Sequence, residues 1–105
     1  MATQGASSTP SNASLLAEAR KALKTAITER TAAAAAKVTA GAEVENAQRY
    51  YNNYTSNPTA FTAEEGTRRQ TMLTRAQGKK AAADRRLQNA SDAVQTAVEK
   101  VQALE

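Results

Sequence analysis

Alanine recurs every seven residues in two separate stretches of the chain, at Ala19, Ala26, Ala33, Ala40 and Ala47 and again at Ala76, Ala83, Ala90 and Ala97. Each lane has a companion three residues upstream. Leu16, Leu23, Arg30, Lys37, Val44 and Tyr51 accompany the first; Leu73, Lys80, Leu87, Val94 and Val101 accompany the second, and Leu104 closes the second alanine lane. Alternating spacings of three and four, sustained this long, mark helices that bury one narrow stripe against another helix. Small residues in one lane let the backbones come close, and bulk in the other fills the remaining space.

The lanes also predict a register. Ala19 with Ala97, Ala26 with Ala90, Ala33 with Ala83 and Ala40 with Ala76 all share one midpoint, Pro58. The companion pairs Leu16 with Val101, Leu23 with Val94, Arg30 with Leu87, Lys37 with Lys80 and Val44 with Leu73 centre between Pro58 and Thr59. Turn signals point independently to the same place. Asn52, Asn53, Ser56 and Asn57 favour turns, and Pro58 bars its predecessor from helical geometry. After the bend, Thr62-Ala63-Glu64-Glu65 fits a capping box, with two carboxylates at the positive end of the helix dipole. Upstream, Ser11, Asn12 and Ser14 can each cap a helix whose apolar pattern begins at Leu15 and Leu16.

The expected fold is therefore all-α: a long antiparallel helical hairpin, an alanine-rich coiled coil, with an irregular N-terminal arm. The polar arm covers 1–14, the first helix 15–54, the bend 55–61 and the second helix 62–104. An arm of this composition has nothing to bury, so it is a loose terminus or a segment that orders against a neighbouring subunit.

At 105 residues the chain has the size of one domain. Its apolar content is 41%, but much of that is alanine, and the aromatics are only Tyr50, Tyr51, Tyr54 and Phe61. Burying a Leu or Val contributes about 1.5–3 kcal/mol, while ordering each residue costs about 1.5 kcal/mol. An alanine seam leaves little margin for an isolated chain, which predicts self-association or packing with other subunits of a larger assembly.

There is no cysteine and no histidine, which removes the commonest metal ligands. No nucleophile-base set or phosphate-cradling glycine loop is present, and the carboxylates are interleaved with basic residues as on solvated helix faces. The expectation is a non-enzyme without a cofactor. The longest apolar run, over 32–36, is too short to span a bilayer. Residues 1–14 lack the pattern of a secretory signal, and nothing assigns a compartment.

Several features interrupt the ideal seam. Lys37 falls opposite Lys80 and Arg30 opposite Leu87; their stems cover the seam while their heads reach water, helped by Asp84, or they form an entry for acidic groups of a partner. Gly41 and Gly78 lie at nearly the same height, so close backbone contact or a bend is expected there. Arg68, Arg69, Arg75, Lys79, Lys80, Arg85 and Arg86 stand against Asp84 alone. Such a band is a solvated face or a grip on phosphates or acidic protein, though no nucleic-acid-binding motif accompanies it. The aromatics gather at the bend with Met72 near them, as a small cap core or as a contact tip. Candidate partner contacts are thus Tyr50, Tyr51, Tyr54, Phe61, Arg68, Arg69, Arg75, Lys79, Arg85 and Arg86.

Thr55-Ser56-Asn57-Pro58 between two helices resembles the proline-bounded loop of type III secretion needle subunits, which assemble as helical hairpins into a hollow filament. The resemblance covers only the bend and the hairpin plan. The first proline of that motif is absent and both arms are longer, so membership is not assigned. The expected function is a non-catalytic structural subunit packing laterally in a virion, tail, filament or secretion apparatus. The alternative is a basic helical module that binds nucleic acid or an acidic protein surface.

Overall fold

In the computed structural model, which describes residues 11–105, two long α-helices pack against each other as a hairpin, with no strand among the described residues. Helix α1 spans Asn12–Ser56 and helix α2 spans Ala63–Leu104, joined through a 3-10 turn at Pro58–Ala60. Most of the expected N-terminal arm, residues 1–10, lies outside the described residues.

Local chemistry sets the boundaries, and it corrects the expected ones. Ser11 is the N-cap of α1: its hydroxyl oxygen accepts the Ser14 amide at 3.1 Å, and its carbonyl accepts the Leu15 amide at 2.9 Å. Asn12, Ala13 and Ser14 are therefore helical rather than part of an arm. At the other end, Pro58 constrains only Asn57, which sits at φ −138°, ψ 63°. Thr55 and Ser56 consequently remain helical, and the Asn57 amide still bonds the carbonyls of Asn53 and Tyr54 at 3.2 Å.

Thr62 caps α2, accepting the Glu65 amide at 3.1 Å. The reciprocal half of the capping box does not form. Glu65 instead receives Arg68 at 2.9 Å and Arg69 at 3.1 Å, because charge-assisted bonds to guanidinium groups outweigh a bond to a neutral amide.

The chain divides into two compact units. The terminal unit combines the segment up to Thr31 with Gln88–Glu105, and the tip unit is Ala32–Leu87. In the terminal unit, Ala19, Ala90, Val94 and Val101 are buried, and Leu16, Leu23, Ala26, Ala97 and Leu104 are half-buried. In the tip unit, Ala33, Ala40, Ala47, Leu73, Ala76 and Ala83 are buried, and Val44, Tyr51 and Leu87 are half-buried. Ala47, Leu73 and Ala76 form a single cluster against which Val44 and Tyr51 pack. Arg30 and Lys37, by contrast, are exposed, and half-buried Ala36 lies one position before Lys37.

Polar contacts within the tip unit link Lys37 to Asp84, Glu43 to Lys79, and Arg69 to the Tyr50 carbonyl. The midpoint of each pair lies slightly beyond Pro58. Helical side chains lean toward the N-terminus of their own helix, so two that meet spring from Cα positions displaced toward the C-terminus. Arg20 and Glu105 in the terminal unit are offset in the same direction.

Gly41 and Gly78 differ from expectation. Nothing stands within 4 Å of where a Cβ would be at either position, so neither permits a close backbone approach. Among the described glycines it is Gly66 that is closely packed, buried and covered by the Tyr54 side-chain ring.

Candidate interaction surface

The tip is built around Arg69. Residues Tyr50, Tyr51 and Tyr54 come from the last turns of α1, Phe61 from the extended link, and Arg69 from the second turn of α2. The Arg69 side chain is only 16% exposed. It donates to Glu65 and, at 2.8 Å across the hairpin, to the Tyr50 carbonyl. Its guanidinium lies 4.4 Å from the Phe61 ring centroid and 5.3 Å from that of Tyr50, within cation-π range. Tyr54 contacts Tyr51 and meets Phe61 edge to face, with centroids 6.3 and 6.2 Å apart. Tyr51, Tyr54, Phe61 and Arg69 are thus engaged inside the tip, while Tyr50 keeps half its surface in water.

The remaining cations are placed differently. Arg68 is exposed but paired with Glu65. Lys79 reaches Glu43 at 3.7 Å, and Arg85 is exposed. Asp84 lies between Lys37 and Lys80, each ammonium 3.7 Å from a different carboxylate oxygen. One acid therefore offsets the two ammonium groups that the register brings into one layer. Acidic and basic side chains balance in the terminal unit, with Glu18, Glu29, Asp92, Glu99 and Glu105 against Arg20, Lys21, Lys24, Arg30 and Lys100. The chain's net charge of +4 therefore resides in the tip unit.

One face of the tip unit carries a groove between the helices. Its first section, about 300 Å³, is floored by Ala47 and Ala76 and walled by Tyr50, Met72, Glu43 and Arg75. A second section, about 400 Å³, shares Glu43 and Lys79 with the first and runs over Ala36, Ala40, Ala82 and Ala83 to Arg86. Because alanine fills the seam on this side, the helices leave a shallow channel instead of a closed ridge. Tyr50 and Met72 are 50% and 44% exposed at its edge. The alanine lanes by themselves predict close backbone approach; the channel, the exposure of Met72 and the engagement of Arg69 follow from side-chain direction, which periodicity alone does not give.

Among the described residues no group of three or more acidic, histidine or cysteine side chains is placed to hold a metal ion, and no helix is long and apolar enough to cross a membrane. No protein-family model matches the chain, and no curated protein or solved structure is significantly similar to it.

Proposed function

We propose that the chain is a non-catalytic structural subunit, a helical hairpin that packs laterally against further subunits in a larger particle such as a virion, tail, filament or secretion apparatus. The observation that carries this reading is the distribution of apolar surface. Among the described residues no large side chain is fully buried, while Leu15, Ile27, Val38, Tyr50 and Met72 are exposed, Val38 to 74%. A two-helix layer covers one stripe of each helix, and stability in such small folds comes mainly from tertiary packing of apolar faces. Further layers supplied by other subunits would cover these side chains.

A second reading, a basic module for nucleic acid or an acidic protein, draws on the charge surplus of the tip unit. It is weakened by the local pairing of Arg68, Arg69, Lys79 and Lys80 with Glu65, Glu43 and Asp84. Sedimentation equilibrium with circular dichroism across a wide concentration range tests the first reading. The expected result is mass and melting temperature rising together with concentration. A fully helical monomer whose melting is independent of concentration contradicts it.

A further inference from the structure

We propose that the groove of the tip unit receives the opening turns of α1 from a second copy of the chain, an assignment that rests on the assembly reading above. The occupant face is Leu15, Glu18, Ala22 and Thr25. Its spacing of three, four and three residues repeats that of Met72, Arg75, Lys79 and Ala82 along the α2 wall of the groove.

Laid parallel to that wall, Leu15, itself 39% exposed, reaches the apolar edge formed by Met72 and Tyr50. Glu18 then meets Arg75, and Lys21, one turn on, comes over Glu43 on the opposite wall. Ala22 leaves room for the aliphatic stem of Lys79, and Thr25 lies over Ala82.

Charge selects this occupant over the alternatives. Glu18 and Arg75 are both exposed, and neither has an ion-pair partner among the described residues. Two tip units laid face to face would oppose their surplus positive charges, whereas the terminal unit is balanced and offers Glu18 where the groove offers Arg75.

The test is charge exchange in the full chain, with association followed by sedimentation velocity and folding by circular dichroism. Glu18→Lys and Arg75→Glu should each weaken self-association about tenfold or more. Mixing the two variants, or combining both changes in one chain, should restore it. A second test uses the absence of native cysteine: Thr25→Cys and Ala82→Cys variants mixed under mild oxidation should yield the mixed disulfide in preference to either homodimer. Wild-type association untouched by both reversals, or no preference for the mixed disulfide, overturns this contact while leaving the assembly reading in place. A wild-type chain that stays monomeric overturns both. Capture of a random DNA duplex by the groove, lost in Arg75→Glu, would give the surface to nucleic acid instead.

Discussion

The two units are built from the same alanine lanes but are held together differently. In the terminal unit the helices meet through Ala19, Ala90, Val94 and Val101, with Leu16, Leu23 and Ala26 only half covered and Leu15 and Ile27 exposed. Its cross-helix ion pair, Arg20 with Glu105, is loose at 3.8 Å and mostly solvated, so it contributes little. The tip unit adds a ring cluster, a part-buried guanidinium with several partners, a carboxylate between two ammonium groups, and Ala33 with no exposed surface. A shared seam gives both units their register, and in the tip unit the rings, the part-buried guanidinium and the shared carboxylate add to it.

The largest expected effect separates the units through their alanines. Ala33→Leu puts added methyl and methylene groups where no space exists and should cost about 3 kcal/mol by overpacking. Ala26→Leu, at a half-buried position of the terminal unit, should cost less than about 1 kcal/mol. Chemical denaturation of both variants checks this, and equal losses would mean that the units are equally tight.

Arg69→Ala should cost about 2 kcal/mol, since it removes charge-assisted bonds to Glu65 and the Tyr50 carbonyl together with the contacts to two rings. Arg68→Ala, one residue away but exposed, should fall within about 0.5 kcal/mol of the parent. Near-identical melting of the two would deny Arg69 its place inside the tip.

The glycines give the smallest effects and a change of sign. Gly78→Ala should stabilise α2 by up to about 1 kcal/mol, because a Cβ there meets nothing and alanine has the higher helix propensity. Gly66→Ala has the same propensity gain but drives a methyl into the Tyr54 ring, so it should be neutral or destabilising. Thermal melts of both variants decide whether close packing at Gly66 is peculiar to the tip.

Much of the hairpin was legible because its cause is periodic. Two alanine lanes with one midpoint specify an antiparallel pair, and Asn57-Pro58 places the bend by a backbone constraint that acts in any context. What stayed hidden depends on competition between neighbours. Ser11, Asn12 and Ser14 were equivalent caps on paper, and only the fit of the Ser11 hydroxyl to the Ser14 amide chooses among them. Glu65 matched a capping box, yet the guanidinium groups one turn later take its carboxylate. Arg69 read as one cation in a basic band, because nothing in a linear pattern marks which of seven similar side chains faces two rings. The groove was not legible: the alanine lanes read as close packing, and the channel with its charged walls required knowing which flank each residue occupies.

Amide hydrogen exchange measured at two protein concentrations tests the division of labour most directly. Protection in the tip unit should already be high in the dilute sample, where contacts within the chain set it, and rise further along the groove walls as copies dock. In the terminal unit, amides of α1 up to Thr31 and of α2 from Gln88 should exchange readily in the dilute sample and become protected as concentration rises. Uniform protection along both helices, unchanged by concentration, would contradict a hairpin whose helices gain stability by association.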